Sequence, residues 1–109
     1  MTYTPTPQRS WIANNGSNVT SGFSATIPDD ITIAIFKAAT LLATGTITLP
    51  ANPRDGQPVT INAPKGITLL TLVPNTGQSL SNSFVIASLG VNAAARLKYS
   101  QADSTWYPN

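Results

Sequence analysis

The sequence contains no cysteine, no histidine and no glutamate, and only 9% of its 109 residues are charged. The absence of cysteine excludes a disulfide framework and leaves the redox compartment undetermined. Without these three residue types the chain lacks the commonest general base, every thiolate nucleophile and most sets of zinc ligands. No apolar run approaches the ~20 residues that a membrane-spanning helix requires, so no membrane partner is expected.

The acidic residues are all aspartates, and each has a local structural explanation. Asp29 and Asp30 fit a turn or a helix cap, because adjacent side chains on a strand would point apart. Asp55 precedes Gly56 in a predicted turn, and Asp103 lies in another. A glycosidase needs two carboxylates facing each other across ~5–9 Å, and a calcium site needs several oxygens converging from one loop. The sequence therefore predicts no enzyme, no cofactor and no metal site.

Low charge combined with an apolar content of 41% favours a protein whose surface is largely covered by other protein chains. A solvated monomer usually carries more charge to stay soluble. A compact secreted β domain is the alternative that composition leaves open. The six basic residues are scattered and the net charge is +2. Because nucleic acid binding needs clustered cations, no nucleic acid partner is expected.

The first 26 residues are typical of an extended N-terminal arm, followed by a β module over 27–109. Prolines near the start favour a polyproline-like backbone, and a polar, asparagine-rich tract follows. A tryptophan in such a segment indicates docking on a partner, with a frayed terminus as the alternative. The residues assigned to attachment are Tyr3, Pro5, Pro7, Arg9, Trp11 and Ile12.

The β module is organised around residues 45–61, where apolar residues alternate with threonine on both sides of a turn. Alternation with a period of two places the apolar side chains on one face of a strand. We assign the turn to Pro53, Asp55 and Gly56, because glycine supplies the positive φ that a chain reversal needs.

Further strands are predicted at 31–37, 67–73 and 94–100, with a closing aromatic segment at 105–107. Residues 79–89 are expected to be an irregular segment that ends in a short strand. Part of the first run also fits helical spacing, and a helical turn at 38–42 stays open. Such short, punctuated strands predict an all-β fold, an antiparallel sandwich or barrel-like module. No solenoid period repeats cleanly in the sequence.

The strand predicted at 67–73 has apolar residues on both faces near its end, which indicates cover from both sides. In so short a chain a neighbouring subunit would supply the second cover. The residues predicted for the core or the subunit interface are Ile47, Leu49, Val59, Ile61, Leu69, Leu70, Leu72, Leu97, Tyr99 and Trp106.

Three segments resemble a β-rich module of tailed-bacteriophage virion proteins. The segments are GTITLPANPRDGQPVTI from Gly45, GITLLTLVPNTGQ from Gly66 and LKYSQADSTWY from Leu97. The shared pattern is a TLP–DGQ segment, a strand leading into PN-GQ, and a closing strand that ends in TWY. Modules of this kind occur in head fibres, capsid decoration proteins and the ends of tail fibres and spikes.

The resemblance implies a homotrimer with strands of three chains around a common axis. It implies a non-enzymatic virion protein, a capsid decoration (cement) or head-fibre protein bound to the major capsid protein on the capsid surface. Synthesis is expected in the bacterial cytoplasm, because the N-terminus lacks a secretory signal pattern.

The alternative is a tail-fibre or tailspike module that binds a host receptor. The chain begins with Met1 and contains no long shaft, which favours the capsid. Trp106 and Tyr107 leave open a host surface glycan as a partner, although such aromatic residues more often fill a trimer core.

Overall fold

Apart from one short 3-10 helix, the regular secondary structure of the described residues consists of short β-strands, which confirms the all-β prediction. In a computed structural model of the chain, residues 9–81 and 88–108 are described. A short 3-10 helix spans Asn14–Gly16. The strands are β1 (Ser10–Ile12), β2 (Phe23–Thr26), β3 (Ile33–Ile35), β4 (Leu42–Thr48), β5 (Pro58–Asn62), β6 (Ile67–Val73), β7 (Ser79–Leu80), β8 (Ala94–Ser100) and β9 (Thr105–Pro108).

The sequence predicted the bounds of two strands correctly. The runs at 67–73 and 94–100 are β6 and β8 with the predicted bounds. The run at 31–37 is a strand over Ile33–Ile35. Residues 38–41 bend without forming a helical turn, so the helical alternative is wrong. Isoleucine and threonine lose side-chain freedom in a helix, which explains why the strand prevails in the run before this bend.

The strands form two sheets with mostly parallel pairing. The larger sheet has the order β1–β3–β5–β8–β9–β7, and the smaller has the order β2–β4–β6. All pairs in the smaller sheet are parallel, as are β1–β3 and β3–β5. Antiparallel pairing joins β8 to β5 and to β9. The expected antiparallel sandwich or barrel is therefore corrected to a parallel, β-solenoid-like arrangement.

Each coil of this solenoid contributes one strand to each sheet: β1 and β2, then β3 and β4, then β5 and β6. The sequence shows no clean solenoid period because the coils differ in length. Ser10 pairs with Ile33, and Ile33 pairs with Thr60. The second pair is several residues further apart in the sequence than the first, so the repeat is not constant. Unequal connections hide the repeat from a search for a fixed period.

The turns that leave the smaller sheet repeat from coil to coil, and we call them the turn stack (28–31, 50–57 and 74–78). Each contains a residue with positive φ: Asp30 at 66°, Gly56 at 77° and Gly77 at 81°. The positive φ predicted for Gly56 is thus confirmed. Each turn begins at the proline of an apolar–proline pair, and the three pairs are Ile27-Pro28, Leu49-Pro50 and Val73-Pro74.

Two glutamines hold the turn stack together. Gln57 accepts the backbone N–H of Arg54 at 3.0 Å, and its amide donates to the carbonyl oxygen of Ile31 in the preceding turn at 3.3 Å. Gln78 donates in the same way to the carbonyl of Pro50 at 2.8 Å. Gln57 is fully buried, so these bonds satisfy polar atoms that water does not reach.

The first coil is built from residues assigned to the arm. β1 pairs with β3, and β2 pairs with β4. Trp11 packs edge-on against Phe36 with ring centroids 5.9 Å apart, and Phe23 stacks on the same ring at 5.3 Å. The structure thus differs from the prediction of an arm ending at residue 26, because these aromatic contacts give the segment apolar burial that its own composition does not reveal.

Two predictions fall outside the described residues. Tyr3, Pro5 and Pro7 of the predicted arm precede the first described residue. The irregular segment expected to end in a short strand by residue 89 includes 82–87, which also lie outside. Of its described part, Ser79–Leu80 form β7.

Candidate assembly surfaces

Most residues predicted for the core or the subunit interface are buried within the single chain. Ile47, Leu49, Val59, Ile61, Leu70, Leu97, Tyr99 and Trp106 all lie in the core. Leu72 is half-buried against it, whereas the side chain of Leu69 is 56% exposed. The solenoid therefore completes its own core, and Leu69 is the predicted residue whose side chain is left available for another chain.

The outward side of the smaller sheet carries small hydroxyl residues in register, and we call it the hydroxyl face. Adjacent outward residues form one row of Ser24, Thr46 and Thr71 and a second of Thr26, Thr48 and Val73. A third row pairs Thr44 with Leu69. None of the residues in β2, β4 and β6 is charged. The face is thus uncharged, with hydroxyl groups over most of its area and one large exposed apolar side chain.

The outward side of the larger sheet differs along its width. Ile12 and Ile35 are neighbours in register, and Ile33 lies on the same side; we call these three residues the isoleucine patch. Ile12 is 39% exposed, and the other two are half-buried. Two strands further across this face than β3, β8 presents Arg96 and Lys98, both exposed. This face therefore has an apolar region at the β1 edge and a basic region near its centre.

Trp11 and Ile12, predicted together as an anchor, point to opposite sides of β1. Trp11 packs against the core, whereas Ile12 belongs to the isoleucine patch. Alternation along a strand produces this division. Arg9 precedes β1. Its backbone N–H donates to Oγ1 of Thr32, the residue before β3, at 2.9 Å. The structure therefore places Ile12, and not Trp11, where a partner would find it.

A surface cleft of about 560 Å³ lies beside the second turn of the turn stack. It is lined by Asp55, Gly56, Lys98, Tyr99, Ser100 and Tyr107. The Asp55 Oδ1 atom accepts the backbone N–H of Gln101 at 3.0 Å, which ties the turn to the end of β8. Tyr107 is 38% exposed, but Trp106 is fully buried, so a glycan would meet the tyrosine alone.

The Tyr107 hydroxyl donates to a carboxylate oxygen of Asp103. This hydrogen bond lowers the pKa of Asp103 below its usual 3.8, because it stabilises the ionised carboxylate. The same bond raises the pKa of Tyr107 above 10.0. Both groups are exposed, so the pair orients the tyrosine ring at the cleft without creating a buried acid or base.

The other aspartates act within the turn stack. The Asn52 side chain donates to Asp29 Oδ2 at 2.9 Å and lowers the pKa of Asp29. Asp30 forms an ion pair with Arg54, with 2.9 Å between Oδ1 and the guanidinium. Within residues 9–81 and 88–108, no group of three potential metal ligands comes together. Each described carboxylate has a structural partner that explains its position.

No protein-family model and no curated protein match the sequence. In the part of the chain that the structure describes, no helix has the length and apolar character to span a membrane.

Sequence reasoning missed both the hydroxyl face and the turn stack. The signal for the turn stack was present as a repeated apolar–proline pair followed by a residue suited to positive φ. The signal for the hydroxyl face was the absence of charge between Lys37 and Arg54 and between Lys65 and Arg96. Neither signal shows which strands become neighbours, because strand pairing connects residues distant in sequence.

Proposed function

We propose that this chain is a non-enzymatic structural protein of a bacteriophage virion, a trimeric capsid decoration or head-fibre protein. The observation that carries the proposal is the hydroxyl face, a charge-free surface on a solenoid whose core is already complete. Charge depletion is typical of the centre of a protein interface. The resemblance of residues 45–109 to virion β modules supports the same function.

The engagement of every described aspartate supports a non-enzymatic function. Asp29, Asp30, Asp55 and Asp103 each bind a neighbouring side chain or backbone group. A glycosidase acid would need a raised pKa, whereas the pKa values of Asp29 and Asp103 are lowered.

Attachment to the major capsid protein is assigned to the N-terminal end of the chain and to the isoleucine patch. Trp11 is less accessible than Ile12, because its ring is partly buried against Phe36. Ile12 extends the predicted attachment segment onto the exposed face of β1, beside Ile35. A partly exposed aliphatic cluster of this kind is suited to burial against another protein.

A tail-fibre or tailspike module is the second candidate. The exposed Tyr107 ring beside the cleft favours it, because an oriented aromatic ring with nearby polar groups suits a receptor glycan. In that case the protein would be found at the tail, not on the shell.

The attachment test compares Ile12→Asp with Val91→Asp. Val91 is 65% exposed and lies outside the isoleucine patch, so the control introduces the same charge at an exposed apolar position. Each protein is mixed with capsid particles that lack it, the particles are sedimented, and the pellet is probed. The wild type and Val91→Asp should co-sediment, and Ile12→Asp should stay in the supernatant. If the wild type does not bind capsids but does bind a host surface receptor, the second candidate replaces the capsid function.

A further inference from the structure

We propose that the hydroxyl face is the surface through which copies of this chain contact one another. The inference rests on the proposed trimer and names the part of each chain that faces the other copies. It assigns a partner, a second copy of this chain, to Ser24, Thr46 and Thr71 and to the rows beside them.

The distribution of charge selects this face. In a closed ring of identical chains, residues near the symmetry axis face their own copies. Any charged residue there meets its own sign, which is destabilising. The charged residues of the sequence all lie outside β2, β4 and β6, and they are Arg9, Asp29, Asp30, Lys37, Arg54, Asp55, Lys65, Arg96, Lys98 and Asp103. The hydroxyl face is therefore compatible with its own copies.

The outward side of the larger sheet carries charged residues. That side presents Arg96 and Lys98 on β8, and Thr60 of β5 pairs in register with Arg96. A self-contact through this side would bring exposed cations of one copy toward those of the next. The isoleucine patch is thus better suited to a different protein than to a second copy.

The side chains of the hydroxyl face also fit a self-contact. Outward residues on neighbouring parallel strands are ~4.8 Å apart, so each row presents short side chains at a regular spacing. A threonine offers a methyl group for packing and a hydroxyl that both donates and accepts, so identical rows can pair without an unsatisfied group. Leu69, 56% exposed at the end of the third row, adds apolar area that a second copy would bury.

The test introduces a single lysine on one sheet or on the other and measures the mass of the assembly in solution. Thr46→Lys puts a charge in the middle of the hydroxyl face, and the matched control Thr60→Lys puts it in the middle of the larger sheet. Both threonines are half-buried and point outward from a strand. By light scattering coupled to size exclusion, the wild type and Thr60→Lys should show three times the 11.4 kDa chain mass. Thr46→Lys should show the mass of one chain.

A second pair of variants tests the same surface if circular dichroism shows that Thr46→Lys does not fold. Leu69→Asp should lose the trimer, whereas Val91→Asp, which changes an exposed apolar residue outside the hydroxyl face, should keep it. A trimeric wild type with trimeric Thr46→Lys and Leu69→Asp overturns this inference and leaves the proposed function standing. Loss of the trimer in Thr60→Lys with its retention in Thr46→Lys moves the contact to the larger sheet. A monomeric wild type overturns both the trimer and its assigned surface.

The lack of cysteine allows a direct measurement of proximity. A spin label on Thr46→Cys should show dipolar broadening that disappears when labelled chains are diluted with unlabelled ones. A label on Thr60→Cys should show none. Equal broadening at the two positions would contradict the assignment.

Discussion

The indole N–H of Trp106 donates to the side-chain oxygen of Gln78 at 2.8 Å. The same oxygen accepts the backbone N–H of Asn75 at 3.1 Å, while the amide nitrogen donates to the carbonyl of Pro50. One glutamine therefore joins the closing strand β9, its own turn and the turn of the previous coil. The aromatic end of the chain is held by this bond as well as by apolar packing against Tyr99.

Replacing Gln78 by Ala should lower the free energy of unfolding by about 2–3 kcal/mol, because it leaves the buried Trp106 N–H and the Asn75 N–H without an acceptor. Urea unfolding followed by tryptophan fluorescence measures the shift in midpoint. Gln101→Ala is the control, since that exposed side chain makes no hydrogen bond within residues 9–81 and 88–108. Equal midpoints for the two variants would show that Gln78 does not hold the closing strand.

Gly45→Ala should destabilise the smaller sheet by about 1–3 kcal/mol through overpacking. A Cβ atom at this position would overlap Cε1 of Phe23, which packs across β4. Gly90→Ala is the control, because the nearest atom would be Ala93 Cβ at 4.0 Å. In the Phe23→Ala background the Gly45 substitution should cost almost nothing, and a full additive loss would contradict this contact.

Trp11→Ala should reduce the free energy of unfolding by about 2–3 kcal/mol, below the usual cost for a fully buried tryptophan. The reason is its contact with Phe36 inside the first coil. Ile12→Ala, one residue further along the same strand, should change stability by less than about 0.5 kcal/mol. Thermal unfolding of the two variants distinguishes a folded first coil from an arm, for which neither substitution would affect stability.

The Asp103–Tyr107 pair should make local stability depend on pH at both extremes. The lowered pKa of Asp103 contributes stability above its usual 3.8 that is lost as the pH falls through the lowered value. The raised pKa of Tyr107 contributes stability that is lost as the pH rises through a value above 10.0. Ultraviolet titration should show one tyrosine whose pKa lies above 10.0. Asp103→Asn should shift the pKa of that tyrosine toward 10.0, and Tyr107→Phe should remove its ionisation from the titration curve. A titration curve unchanged by Asp103→Asn would refute the pair.

By itself, the sequence determined the features that depend on local chemistry. Alternation of apolar residues placed β8 with its observed bounds, because the pleat sends neighbouring side chains to opposite faces whatever strand lies beside them. Gly56 adopted the predicted positive φ because a residue without a Cβ atom meets no steric penalty there. The absence of histidine, cysteine and glutamate removed whole classes of chemistry before any fold was known.

Only the tertiary structure decided which strands became neighbours and in which direction they run. Alternation is the same in parallel and antiparallel strands, so Ile47 could be assigned to a core but not to a row between Ala25 and Leu72. The burial of Trp11 depends on Phe36, which is distant in the chain and arrives beside it through the second coil. The hydroxyl face exists because coils of unequal length bring Ser24, Thr46 and Thr71 into one row, and such long-range register is set by packing of the whole solenoid.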